Sequence, residues 1–153
     1  MSARQPGSDD VDPAELLARG VARLLTEIGY SSLTEFTLRS GRRADVAGID
    51  GHGRIIIVEI KRSVADFRAD RKWPDYLDYC DEFYFAVPAR FPHELLPDEA
   101  GLIVADRFGA ELLRPSAAGS ARLHPSRRRE VLLRFAHAAA GRLQRLSDPD
   151  SFL

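Results

Sequence analysis

The most constraining stretch of the chain is RIIIVEIK, Arg54–Lys61, which combines the composition of a buried strand with two charged residues near its end. Its β-branched and apolar residues predict a strand covered on both faces of a sheet. Glutamate and lysine are rarely buried unless they are paired or used in chemistry. Because side chains alternate along a strand, Glu59 and Lys61 share one face and Ile60 points to the other.

A glycine-rich turn places a second carboxylate opposite Glu59. The sequence DGHGR before the strand is typical of a hairpin whose loop is residues 51–53, so that Asp50 pairs with Arg54. Continued along the hairpin, this register sets Asp45 directly opposite Glu59. Directly opposed carboxylates repel each other, so we expect a cation to relieve them.

Asp45, Glu59 and Lys61 together suit metal-assisted hydrolysis of phosphodiesters. The two carboxylates would hold Mg²⁺ or Mn²⁺, which prefer oxygen ligands, and the carbonyl of Ile60 is a candidate third ligand. Lys61 would orient the attacking water and stabilise charge in the transition state. The alternative is a surface ion-pair cluster, in which Lys61 pairs with Glu59 and Asp45 with a nearby arginine.

Lysine is scarce in this chain, which bears on both interpretations. Of 22 basic residues only Lys61 and Lys72 are lysines. Arginine keeps its proton and is a broad planar fork, whereas lysine is a compact charge. This usage favours a chemical role for Lys61 and makes Lys72 a candidate contact for the scissile phosphate.

The remaining pattern predicts one α/β domain over residues 12–146, between a disordered tail at 1–11 and a short C-terminal tail at 147–153. The predicted order is αβββαβ, followed by a β-hairpin and a helix, which implies a mixed sheet flanked by helices. The predicted elements are a helix capped by Asp12 that ends near Ile28, strands at 33–38, 43–49 and 54–61, a helix from Ser63 that kinks or restarts at Pro74 and ends near Cys80, a strand at 82–88, a hairpin at 101–106 and 110–114, and a helix from Ser126 to Leu146.

Composition excludes several classes of protein. Cys80 is the only cysteine, which excludes a disulfide framework and a cysteine-based zinc site. No apolar run reaches membrane-spanning length, so we expect a cytoplasmic protein without a membrane partner. The net charge is −1, but residues 122–145 hold seven arginines and one glutamate, which predicts a basic final helix.

The stretch RADVAGIDGHGRIIIVEIK resembles the core of the PD-(D/E)xK, restriction-endonuclease-like nucleases. The bipartite motif of that superfamily falls on Asp45 and on Glu59-Ile60-Lys61, with Ala44 where proline is common. The resemblance covers roughly residues 14–88. It implies a restriction-endonuclease-like fold and a Mg²⁺ or Mn²⁺ cofactor.

A second resemblance is narrower. SVADFRADRKWPDYLDYCDEFYFAVP, with TEFTLRSGRRADV and ELLPDEAGLIVAD, closely resembles the MmcB-like family of bacterial DNA-repair proteins, over about residues 14–146. It implies DNA as a partner and an association with other repair or damage-induced mutagenesis proteins. The predicted function is therefore a DNA-repair-associated metal-dependent nuclease. The alternative is a catalytically silent DNA-binding or adaptor module, and the oligomeric state stays open.

Other residues are candidates for contacts with DNA. Trp73 and Tyr76 are candidates for stacking on a base. The alternative is that Trp73 and Tyr79 pack the core while Lys72 pairs with an aspartate. Phosphate contacts are predicted for Arg43 and for arginines of the final helix, which are otherwise an ordinary solvated face. The helix candidates are Arg127, Arg128 and Arg134.

Glu27 and Glu35 are candidates for an extra acid at the site, because related nucleases recruit one from this region. Glu27 borders the buried stripe of the first helix. Whether Glu35 shares a face with Asp45 depends on one residue of register, which the sequence leaves open.

Overall fold

The structure is a computed structural model that describes residues 12–117 and 123–152; the tail predicted at 1–11 lies outside these residues. Within these residues, three α-helices and six strands form the fold, with short 3₁₀ helices between and after them. The α-helices are α1 (Ala14–Glu27), α2 (Val64–Ala69) and α3 (Pro125–Ser147). The strands are β1 (Ser31–Thr37), β2 (Arg43–Ile49), β3 (Ile55–Ile60), β4 (Glu82–Val87), β5 (Gly101–Ala105) and β6 (Ala110–Arg114). The 3₁₀ helices are Trp73–Tyr79, His93–Leu95 and Pro149–Phe152.

The six strands form one mixed sheet in the order β1-β2-β3-β4-β5-β6. The first three strands are antiparallel, β3, β4 and β5 are parallel, and β6 returns antiparallel to β5. The predicted α/β class and αβββαβ order, with an appended hairpin and helix, are confirmed. Because β3, β4 and β5 are parallel, their carboxyl ends lie at one edge of the sheet.

Helices cover both faces of the sheet. Leu17 and Val21 of α1 pack with Val58 and Tyr84 on one face. The other face carries Phe83 and Phe85, which pack under the 3₁₀ helix Trp73–Tyr79 and under α3. All six residues of β3 are buried, as its composition predicts. The end of β3 is therefore enclosed on both sides by helical elements.

The turn before β3 has the predicted register. The amide of Asp50 donates to the carbonyl of Arg54 at 3.1 Å, and Gly53 adopts a φ of +81°, which favours glycine. Val46 then pairs with Val58, so the next position along the hairpin sets Asp45 opposite Glu59.

Two predicted helix caps are wrong. Pro13, not Asp12, stands at the cap position of α1 without a side-chain cap bond, because the carboxylate of Asp12 instead binds the guanidinium of Arg107. Helix α3 begins one residue before the predicted cap: the ring of His124 accepts the amide of Ser126. Proline is favourable at the first helical position because it lacks the amide that would need a partner.

Candidate active site

Asp45 and Glu59 lie side by side where β2 and β3 separate. Regular backbone pairing of these strands reaches Val46 and Val58. Beyond that pair, the amide of Asp45 donates to Glu59 Oε1 at 3.0 Å, and the amide of Ile60 donates to Asp45 Oδ2 at 2.8 Å. Carboxylates thus replace backbone carbonyls as acceptors, which fixes both side chains at the sheet edge.

Both carboxyl groups are held in a low-dielectric environment. Glu59 is 6% exposed, and burial together with the charge of Asp45 raises the pKa of Glu59 to about 8. Burial also raises the pKa of Asp45, although the amide of Ile60 opposes the shift. Ionising both groups is therefore unfavourable without a compensating positive charge. A bound cation would supply that charge.

Lys61 is also buried, at 6% exposure, and its ammonium lies 2.8 Å from Oδ2 of Asp70. Asp70 follows α2 directly, and the amide of Lys72 donates to its other oxygen at 2.9 Å. Burial opposes ionisation of Asp70, but the hydrogen bond from Lys61 and the amide of Lys72 outweigh it and lower its pKa. The charge on Lys61 therefore has a partner, which is Asp70 rather than the Glu59 of the ion-pair alternative.

Asp70 was missed in the sequence because it is one of five aspartates whose spacing resembles the solvated face of a helix. These are Asp66, Asp70, Asp75, Asp78 and Asp81. Neither the helical spacing nor the scarcity of lysine distinguishes it from Asp66 or Asp75. Its role depends on how the loop after α2 folds back over the end of β3.

The donor set fits a hard divalent cation. Each carboxylate has one oxygen that accepts an amide and a second oxygen that is a candidate ligand, and oxygen-only sites suit Mg²⁺ or Mn²⁺. Within residues 12–117 and 123–152, no cluster of three or more His, Cys, Asp or Glu side chains is placed to bind a metal. Further ligands would come from the Ile60 carbonyl, from water or phosphate, or from an acid that reorients.

A cavity of about 290 Å³ adjoins the pair, and it bears on the candidate extra acids. Asp45 and Ile60 line it, together with Glu35 and Glu15. Glu35 adopts a φ of +50° between the pairs that Thr34 and Phe36 form with β2, which places it opposite Asp45 and answers the open question of register.

Glu15 is an acid that sequence reasoning missed, since a glutamate in a first helical turn is ordinary. Glu27 lies at the far end of α1, about 18 Å along the helix axis from Glu15, and it does not line this cavity. Glu35 and Glu15 are therefore the additional acids that line the cavity beside Asp45.

The aromatic candidates are largely core residues. Tyr76 is 6% exposed; its ring stacks on Phe83, and its hydroxyl donates to the carbonyl of Arg43. The prediction that Tyr76 stacks on a base is therefore wrong. Trp73 is half-buried and stacks on Phe83 at 5.6 Å between ring centroids, as the core-packing alternative expects. Lys72 is exposed.

The arginines of α3 divide by their contacts. Arg128 makes two 2.6 Å bonds to Asp81 and a third bond to the carbonyl of Gly53, so it holds α3 to the sheet, contrary to its predicted role in phosphate binding. Arg134 pairs with Glu130 one turn away at 2.8 Å, which likewise engages it within the helix. Arg127 lies over the ring of Tyr79 at 4.3 Å. Arg43 is exposed beside Asp45 and stays a candidate.

Comparison with protein families identifies the chain. The profile described as DNA repair protein MmcB-like matches residues 3–150, nearly the whole length. The chain belongs to the MmcB-like family. A comparison with curated proteins gave no match. Helices of the described residues do not reach the length and apolarity needed to cross a membrane.

Two solved structures resemble this MmcB-like protein. One is a protein of unknown function from Silicibacter pomeroyi, with 46% identity and a TM-score of 0.85 over 92% of this chain and 95% of that one. The other is a repair endonuclease from Pyrococcus abyssi, with 22% identity and a TM-score of 0.40 over 65% of this chain and 49% of that one.

Proposed function

We propose that this MmcB-like protein is a DNA-repair nuclease that hydrolyses phosphodiester bonds of DNA with Mg²⁺ or Mn²⁺. The observation that carries the proposal is the directly opposed pair of half-buried Asp45 and buried Glu59, with buried Lys61 directly after β3. Burying a carboxylate and an ammonium beside a second, half-buried carboxylate is costly for stability alone. Membership of a DNA-repair family supports DNA as the substrate.

Asp45 and Glu59 would hold the cation, with the carbonyl of Ile60 as a candidate third ligand. A bound cation supplies a water of lowered pKa and neutralises charge on the phosphate. Lys61 orients the attacking water and stabilises negative charge that develops on the phosphate. Asp70 positions the ammonium of Lys61, and the amide of Lys72 positions Asp70. Exposed Arg43 and Lys72 would contact the DNA backbone.

A catalytically silent DNA-binding or adaptor module is the second candidate. The observation that favours it is the ion pair between Lys61 and Asp70, because it balances the positive charge of Lys61 without a metal. A silent module would keep the fold, bind DNA or other repair and mutagenesis proteins, and cleave nothing.

A panel of DNA substrates tests the proposal. Single-stranded, nicked, flapped and branched DNAs are incubated with Mn²⁺ or Mg²⁺ and with wild type, Asp45→Asn or Glu59→Gln. Cleavage by wild type that both variants lose supports the nuclease. Equal cleavage by wild type and Asp45→Asn would assign the activity to a contaminant. DNA binding without cleavage of any substrate, with either metal, would favour the silent module.

A further inference from the structure

The turn between β5 and β6 displays an aromatic ring to solvent. Phe108 is 75% exposed in the turn Asp106–Gly109. The carboxylate of Asp106 accepts the amides of Phe108 and Gly109 at 2.8 and 3.0 Å, and the amide of Asp106 donates to the carbonyl of Gly109. Three hydrogen bonds within the turn therefore fix the backbone that carries the ring.

Helix α1 holds this turn rigidly in place. A Cβ atom at Gly20 would lie 1.9 Å from the carbonyl oxygen of Asp106, so only glycine allows the turn to rest on the helix. Arg23 donates to the carbonyl of Phe108 at 2.8 Å. Arg107 makes three bonds to the carboxylate of Asp12. These contacts hold the ring in a fixed position, unlike a ring on a flexible loop.

A groove of about 640 Å³ lies beside the ring, within the range of small-ligand sites. Phe108 forms part of its wall with Leu17, Pro88 and Val104. Arg90 adds a positive charge, and the acids of the lining are Asp12, which pairs with Arg107, Asp106, which accepts amides of the turn, and Glu111. A single exposed apolar side chain needs no explanation. A rigidly held ring at the wall of an open groove is better explained by a ligand with a flat face.

The groove lies at the same end of the sheet as the candidate active site. The turn follows the carboxyl end of β5, which lies at the same end of the sheet as Lys61. Strand β5 is two strand spacings, roughly 10 Å, from β3. Asp12 links the two places: its carboxylate binds Arg107, and its carbonyl accepts the guanidinium of Arg62, the residue after Lys61. A DNA strand that is bound at the carboxylate pair and continues along this end of the sheet would therefore pass close to Phe108.

We propose that Phe108 and this groove bind an unstacked nucleotide of the DNA, with the base against the ring and the phosphate near Arg62 and Arg90. The inference rests on the proposed function for its choice of DNA. The exposed guanidinium groups of Arg90 in the groove and of Arg62 beside Asp12 complement phosphates, and an aromatic face accepts any base by stacking. The substrate class is DNA with an unpaired nucleotide beside the cleaved bond, such as a flap or a single strand.

Binding measurements under chelator test this without cleavage. DNA carrying an unpaired 2-aminopurine, and a fully paired duplex of the same sequence, are titrated with wild type, Phe108→Ala, Phe108→Leu and Phe108→Trp. We expect Phe108→Ala to weaken binding of the unpaired DNA by about 5- to 150-fold, the range for loss of one stacked base. Phe108→Leu should weaken it similarly because leucine lacks a flat face, and Phe108→Trp should retain it.

Leu146→Ala is the matched control, since Leu146 is also an exposed apolar residue but lies on α3. Leu146→Ala should bind the unpaired DNA with the affinity of wild type. The affinity for the paired duplex should be the same for wild type and for each Phe108 variant. The 2-aminopurine fluorescence should be quenched by wild type and not by Phe108→Ala. Equal affinities of wild type and Phe108→Ala for the unpaired DNA would overturn the inference. So would a Phe108→Ala defect confined to self-association or to a protein partner.

The two proposals fail separately. Phe108-dependent binding without cleavage under any metal would remove the nuclease and keep the nucleotide site. Metal-dependent cleavage with Phe108-independent binding would do the reverse.

Discussion

The backbone amide of Asp45 donates to the carboxylate of Glu59, while the carboxylate of Asp45 accepts the amide of Ile60. Each acid therefore caps the strand that carries the other. These bonds hold two repelling groups together at the point where the sheet opens. The opposition of the two carboxylates follows from the register that the 51–53 turn sets.

Mn²⁺ should raise the thermal stability of wild type, because it relieves repulsion in the folded state alone. At a concentration of 100 times Kd the gain in the free energy of unfolding is about 2.7 kcal/mol. Asp45→Asn should abolish the rise, whereas Asp98→Asn, which changes a fully exposed aspartate, should keep it. The measurement is the melting temperature with and without Mn²⁺. An equal rise in Asp45→Asn would place the ion elsewhere.

Metal-free stability should depend on the ionisation of Glu59. Its pKa is raised from 4.5 to about 8, so the folded state holds a proton that the unfolded state has lost between these values. The contribution is complete below pH 4.5 and is lost as the pH rises toward 8. Urea unfolding under chelator from pH 5 to 9 should therefore show that the free energy of unfolding of wild type falls with pH relative to that of Glu59→Gln. Parallel curves for the two proteins would contradict the shift.

Lys61→Arg should retain DNA binding and lose most cleavage, since the guanidinium is wider and cannot take the place of the ammonium at the water. Lys61→Ala should be at least as impaired. Nicking and DNA affinity are measured side by side for these proteins and for Asp45→Asn. Nicking at the wild-type level by Lys61→Arg would reject the water-positioning role.

Asp70→Asn should lower kcat, by up to about 100-fold if the ammonium of Lys61 moves by 1 Å, and leave KM unchanged. The reason is that Asp70 acts through Lys61 and does not touch DNA in the proposed mechanism. Asp75→Asn is the matched control, because Asp75 also lies between β3 and β4 but pairs with Arg42 at the surface. A defect in KM alone would make Asp70 a DNA contact instead.

Arg128→Lys should destabilise the fold by about 1–3 kcal/mol without changing the salt dependence of DNA binding. Lysine cannot reproduce the two bonds to Asp81 together with the bond to the carbonyl of Gly53. Arg129→Lys, at an exposed neighbouring position, is the control for stability. Urea unfolding and salt titrations measure the two effects. A stable variant with a reduced salt slope would restore the predicted phosphate contact.

The sequence by itself determined the hairpin that carries the candidate metal ligands. The apolar run of β3, the glycines of the turn and strict alternation along a strand are local properties, and together they set Asp45 opposite Glu59. The order of the elements followed from local patterns in the same way. The exact helix caps did not, because Asp12 was recruited by Arg107, a residue remote in sequence.

Only the tertiary structure decided which residues surround that hairpin. The pairing of Lys61 with Asp70, the choice of Glu15 over Glu27 beside Asp45, and the seating of Phe108's turn on Gly20 all depend on how separate elements pack. Tyr76 and Arg128 have sequence features of DNA contacts, yet packing engages them in the core and with Asp81. The physical reason is that hydrogen-bond register and periodicity act between neighbouring residues, whereas burial and charge pairing act between surfaces that meet only in the folded chain.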